Sequence, residues 1–237
     1  MSERDTSREP AAALARAVRL YHAHRYEQAL AELETLGKEG GQNPEADYYL
    51  GLALTQLGRY DDALLALEKV VNSHFSFLHI MQARMVLGYI YAVTGRYRLA
   101  EFEFTKVSEL GLQSSQALAA LGFVYYAQKK VKEGIETLKK ALEIEPKNAN
   151  ALNSLGFIYA EEKIDPQKAV SLCRQAVEVA PRNAAYLDSL GWALFRVGNL
   201  DESRILFRRA LDLAPGNREI ASHMRALMDA LKDLSKP

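Results

Sequence analysis

The chain has 237 residues, 30 basic and 30 acidic side chains, and no formal net charge. That balance disfavours a nucleic-acid binder, which normally carries a basic stripe, and a polybasic membrane-surface protein. A single cysteine, Cys173, excludes an intramolecular disulfide and a multi-cysteine metal site.

The first residues, MSERDTSREP, are charged and lack the apolar stretch of a secretory signal. Residues 1–9 read as a flexible tail. No run of 18 apolar residues follows, so no membrane-spanning helix is expected. A cytoplasmic location is the default reading, with a processed or anchored periplasmic form as the alternative.

From residue 10 onward the chain repeats. A small residue follows an apolar one in YYLGLAL, MVLGYIY, AALGFVYY, NSLGFIYA and DSLGWALF. The glycines are Gly51, Gly88, Gly122, Gly156 and Gly191, spaced by 37, 34, 34 and 35 residues, and Ala17 extends the series backward by 34. Six repeats follow, at 10–43, 44–80, 81–114, 115–148, 149–183 and 184–217. About twelve residues after each small residue stands another: Ala29, Ala63, Ala100, Gly134, Ala169 and Ser203. Four residues later comes Leu33, Leu67, Phe104, Leu138, Cys173 or Phe207, and three later still Leu36, Val70, Val107, Ala141, Ala176 or Ala210. Spacings of three and four are helical, and small residues at the tight positions let two helices approach closely. Each repeat therefore reads as two antiparallel helices.

Turn chemistry supports the division. Gly58, Gly95 and Gly198 fall just past a first helix, where a left-handed cap is needed. In the fifth repeat the turn is one residue longer, with Asp165 as the cap of the second helix and Pro166 in its first turn. Pro146, Pro181 and Pro215 end the last three second helices. GKEGG at 37–41 reads as a loop at a helix end. NSHFSFLHIMQ adds residues at the second-to-third junction, which either bends the stack or extends a helix. The tail, NREIASHMRALMDALKDL, reads as an amphipathic helix over 218–235 with Ile220, Met224, Leu227, Met228 and Leu231 on one side. It would cap the open end of the stack; a partner-binding helix is the alternative.

The pattern resembles the tetratricopeptide repeat. The fourth repeat carries it most fully, with Leu118, Leu121, Gly122, Tyr125, Gly134, Leu138, Ala141 and Pro146. The resemblance covers roughly 10–217 and implies an all-α right-handed solenoid of about six helical hairpins with a C-terminal capping helix. The first repeat departs most, with Arg16 where leucine is expected. Asp47 and Arg84 replace the bulky residue at position four of the second and third repeats, which predicts looser packing there.

With Gly191 counted as position eight, positions four, seven, eight and eleven form one helical stripe that faces the second helix. Position nine points away from it. Position nine reads Val18, Leu52, Tyr89, Phe123, Phe157 and Trp192; position twelve reads Tyr21, Thr55, Ala92, Tyr126, Ala160 and Phe195. Tetratricopeptide families line a concave, peptide-binding groove with this side, which implies a non-catalytic scaffold that takes an apolar or amphipathic peptide or helix. The candidate groove residues are Tyr89, Phe123, Tyr126, Phe157, Trp192 and Phe195. The competing reading buries both columns between neighbouring first helices. The carboxylate clamp of chaperone-binding members needs lysine at position five and asparagine at position nine. Position five reads Leu14, Tyr48, Met85, Ala119, Asn153 and Asp188, so that function is disfavoured.

No catalytic constellation is found. His22, His24, His74, His79 and His223 form no ligand pair at zinc spacing, and no glycine pattern matches a phosphate loop. No cofactor, no metal and no enzymatic activity are expected. Cys173 reads as an inert core thiol. The expected partner is a protein or peptide, not nucleic acid and not a membrane. The alternative is an assembly subunit that self-associates, as a homo-oligomer, or docks into a larger envelope or motility complex.

Overall fold

A computed structural model describes residues 8–39, 43–109 and 114–234. These residues form thirteen helices and no strand. The chain divides into two compact units, residues 1–110 and 111–237.

In the first unit α1 (Arg8–His22) pairs with α2 (Tyr26–Glu39), α3 (Pro44–Gln56) with α4 (Tyr60–Val71), and α5 (Phe77–Val93) with α6 (Tyr97–Glu109). In the second, α7 (Ser115–Ala127) pairs with α8 (Val131–Ile144), α9 (Ala149–Glu161) with α10 (Pro166–Val179), and α11 (Ala184–Arg196) with α12 (Leu200–Leu213). The last helix, α13 (Arg218–Leu234), packs on α12 and α11. Within each unit the hairpins stack on their chain neighbours, giving an all-α helical-repeat solenoid architecture.

The repeating glycines are explained by what lies over them. A Cβ added to Gly51 would sit 2.5 Å from Leu67 Cγ, one on Gly88 2.5 Å from Phe104, one on Gly156 2.5 Å from Cys173 Sγ, and one on Gly191 2.8 Å from Phe207. Each second-helix residue sixteen or seventeen positions on fills the space the glycine leaves open. Ala29, Ala63, Ala100, Ala169 and Ser203 are fully buried, and Ser203 Oγ donates to the Gly191 carbonyl at 2.8 Å.

The turns follow the sequence reading. Gly58, Gly95 and Gly198 have φ of 73°, 75° and 82°, and the same left-handed position is taken by His24, Lys129 and Lys163 in the other three repeats. Asp165 accepts from the Lys168 amide at 3.0 Å and Pro166 opens α10. Asn43, Ser114, Asn148 and Asn183 cap the first helices of their hairpins through side-chain oxygens, and Asn217 accepts in the same way from the Glu219 and Ile220 amides of α13.

Several expectations are refined. The junction insertion extends a helix, since α5 has 17 residues where α7, α9 and α11 have 13. The helix α1 begins at Arg8, before the expected boundary at 10; the rest of the tail lies outside the described residues. The run at 37–41 is not all loop. The helix α2 continues through Gly37 to Glu39, because one mid-helix glycine costs only about 1 kcal/mol and the residues around it favour helix; positions 40 and 41 lie outside the described residues. At the departing positions the packing is ionic. Arg16 meets Glu32 at 3.1 Å, Asp47 meets Lys69 at 3.7 Å, and Arg84 meets Glu103 at 2.7 Å. On α13 only Ile220 and Leu227 are buried, and Met228 is half exposed, since the neighbouring helices cover only one side of α13.

Candidate functional site

The first-helix face carries the candidate residues in both units. In the first unit Tyr89 is 49% exposed. With Leu52, Tyr60, Met85 and Val86 it lines a cleft of about 380 Å³. Burial and the neighbouring Tyr60 push the Tyr89 hydroxyl above its ordinary value.

In the second unit Phe123, Tyr126 and Phe157 line one cleft of about 160 Å³. Phe123 is 46% exposed; Tyr126 and Phe157 are half-buried. The rings of Tyr126 and Phe157 meet edge to face, 6.3 Å apart. Repeat spacing places them together: Phe123 and Phe157 are both at position nine, one hairpin apart in the stack, and Tyr126 is one turn beyond Phe123. Burial, then the charges of Glu162 and Glu161, push the Tyr126 hydroxyl up to about 12, and that hydroxyl donates to Glu162 Oε1 at 3.3 Å.

Trp192 and Phe195 form a separate cluster. Their rings are 5.2 Å apart. The outer face of Trp192 is covered by His223 of α13, stacked at 4.4 Å and 22°. The indole N–H donates to Glu161 Oε2 at 2.8 Å, and the Arg196 guanidinium lies 5.5 Å from the ring centroid. Arg196 donates to the carbonyls of Ala160 and Glu161 at 3.1 and 3.3 Å, which satisfies the C-terminal end of α9. At position twelve only Ala160 is fully buried among the second unit's three residues.

Sequence reasoning missed the polar wall of the cleft. Asn153, Ser154, Asp188 and Ser189 line it, with Glu219 and Ile220 of α13 and its cap Asn217. Asn153 Oδ1 is buried without a hydrogen-bond partner among the described residues. Asp188 is buried and bonds to His223 Nδ1 at 2.9 Å. Burial alone would lower the His223 pKa, but the Asp188 hydrogen bond and charge, with Glu219 and Glu161, raise it overall. Asn153 and Asp188 share position five, so one column of the repeat carried the signal. The Cys173 thiol is buried and pushed up to about 12 by that burial. No group of three or more histidine, cysteine, aspartate or glutamate side chains is arranged to hold a metal ion among the described residues. None of the described helices is long and apolar enough to cross a membrane.

Family profiles match this architecture. A profile described as tetratricopeptide repeat matches residues 14–76 and 157–218, and a second, described as TPR repeat, matches 122–162. The chain belongs to the tetratricopeptide-repeat family, whose repeats form protein–protein interaction scaffolds. No curated protein matches it by sequence. Among solved structures, it is similar to a chain of the APC/C hetero-tetramer Cut9-Hcn1, with TM-score 0.77 and 15% identity over 92% of this chain. It spans only 42% of the length of that protein. It is also similar to a tetratricopeptide repeat protein from Parabacteroides merdae, with TM-score 0.74, 14% identity and coverage of 92% of this chain and 84% of that one. A third, YrrB, described as a TPR protein with an unusual peptide-binding site, has TM-score 0.51 and 19% identity over 81% of this chain and 97% of that one. At these identities the likeness is one of fold.

Proposed function

We propose that the chain is a non-catalytic scaffold that captures an apolar or amphipathic peptide or helix on its first-helix face. In the second unit the anchors are Phe123, Tyr126 and Phe157; Tyr89 anchors a cleft of its own in the first. Trp192 and Phe195 form the separate aromatic cluster packed on α13 by the Trp192–His223 stack. The observation that carries this reading is the exposure of Tyr89 and Phe123, 49% and 46%, at a position where each ring lies in or beside a cleft. Large exposed aromatic side chains grouped in this way mark interaction sites, and aromatic anchors dominate binding energy. A phenylalanine that loses ~60 Å² of remaining exposed apolar area to a partner gains about 1.5 kcal/mol.

The test is titration with an amphipathic helical peptide carrying leucine and phenylalanine anchors, followed by anisotropy. Phe123→Ala should weaken binding about tenfold or more with little loss of melting temperature, because half of the ring is already in water. Trp192→Ala is a different perturbation. It removes the indole stacked on His223 and bonded to Glu161, and it should lower stability as well. Unchanged affinity for Phe123→Ala would overturn the reading. A second reading, self-association, is favoured by the exposed Met228 and Leu234 on α13; a mass that rises with concentration in light scattering would support it.

A further inference from the structure

We infer that the segment held by the second unit's cleft is cationic as well as apolar: its apolar side chains sit on Phe123 and Phe157, and lysine or arginine side chains beside them meet Glu161, Glu162 and Glu219. This rests on the groove reading above and adds the charge of the partner.

One of the three carboxylates lines the cleft and two are bonded to aromatic side chains in and near it. Glu162 is tied to the Tyr126 hydroxyl and Glu161 to the Trp192 indole, both at the C-terminal end of α9. Glu219 lines the cleft from α13. Burial is the larger cause of the Tyr126 pKa shift and Glu162 and Glu161 add to it, while the His223 pKa is raised against its own burial by Asp188, Glu219 and Glu161.

Local cations offset this negative field only in part: His223 and Arg196 stand against Asp188, Glu161, Glu162 and Glu219. His223 is bonded to Asp188, so that pair accounts for itself. The Arg196 guanidinium, held by two backbone carbonyls and the Trp192 face, keeps its charge and offsets one carboxylate. Among the described residues none of Glu161, Glu162 and Glu219 is ion-paired with a lysine or arginine side chain. The whole chain carries no net charge, so a general attraction for cations is not expected. Any preference must arise locally, where an apolar floor beside exposed carboxylates steers an oppositely charged partner and fixes its register.

Two amphipathic helical peptides of about 18 residues, with identical leucine and phenylalanine positions and either lysine or glutamate at every polar position, separate the claims. The probes are dye-labelled and titrated with the full chain. The lysine peptide is expected to bind about tenfold tighter or more at low salt. The gap should close toward ~1 M salt, where screening acts over about 3 Å. In Glu161→Gln/Glu162→Gln/Glu219→Gln the preference should fall below about threefold, with helicity by circular dichroism unchanged; Phe123→Ala should weaken the lysine peptide on its own. Equal affinity of the two peptides for the wild type would overturn the charge assignment and leave the groove reading standing. Binding of neither would overturn both. A preference that survives the triple substitution, or lysine-peptide binding indifferent to Phe123→Ala, would place the attraction elsewhere and overturn the inference. A salt-insensitive preference in the wild type would do so without any variant.

Discussion

Replacing Gly156 with alanine tests the packing rule that generates the repeat. The added Cβ would lie 2.5 Å from Cys173 Sγ, 3.0 Å from the Ala169 carbonyl oxygen and 3.1 Å from the Cys173 amide nitrogen. Ordinary contacts are ~3.5–4.0 Å. The thiol has little room to turn away in a fully buried position, and the two backbone atoms move only if α9 and α10 separate. Overpacking of this kind costs about 1–3 kcal/mol, and the backbone contacts place this site at the upper end. Alanine regains about 1 kcal/mol of helix propensity over glycine. The net is a destabilisation of about 2 kcal/mol, or roughly 4–8 °C in melting temperature for a chain of this size. Chemical denaturation followed by circular dichroism measures it. The double variant Gly156→Ala/Cys173→Ala removes the closest clash and leaves the backbone contacts, so it should recover part of the loss and show a coupling of ~1 kcal/mol. A single variant as stable as the wild type, or a double variant with additive losses, would refute the reasoning that the glycine makes room for the second-helix side chain.

Three other outcomes are expected. At the Arg84–Glu103 pair, with side chains 18% and 11% exposed, Arg84→Ala leaves a carboxylate buried and should cost about 2–3 kcal/mol, whereas Arg84→Met/Glu103→Leu should be neutral or stabilising, as measured by urea unfolding. His223 has a raised pKa through Asp188; its contribution is therefore full below its ordinary value of 6.5 and fades as pH rises through the folded value, so His223→Gln should lose more melting temperature at acid than at alkaline pH. Lys129 holds φ of 67°, where a side chain costs about 1 kcal/mol, so Lys129→Gly should stabilise by roughly 0.5 kcal/mol once glycine's extra chain entropy is subtracted, by the same denaturation assay.

The fold was legible because its constraints are local and periodic. A glycine recurring near every 34 residues, followed by a small and then a bulky residue at helical spacing, has one economical explanation in two close helices, and the buried Leu67, Phe104, Leu138, Cys173 and Phe207 provide it. Left-handed turns were legible where glycine occupies them, at Gly58, Gly95 and Gly198. They were not at Lys129 and Lys163, because a strained residue leaves no compositional mark. The direction of position nine also followed from helical geometry. What covers each residue did not. Trp192 shares its column with Phe123, yet His223, 31 residues on, stacks over its ring; that contact depends on how α13 docks, which no periodicity encodes. Arg84 and Asp47 were read as weak packing because an ion pair with the second helix depends on a partner outside the repeat's signature. The polar wall was missed for a similar reason: Asn153 and Asp188 were compared with a known clamp, and their role comes from the cleft that three repeats and α13 build together.

The central claim is that a partner sits on the exposed aromatic rings of position nine. Fluorine NMR of protein labelled at its eight phenylalanines, assigned by single substitution and titrated with the lysine-flanked helical peptide, tests it directly. The Phe123 and Phe157 resonances should move in step with saturation, while those of the buried Phe104 and Phe207 stay in place. A peptide that binds to saturation and leaves Phe123 and Phe157 unmoved would contradict the account.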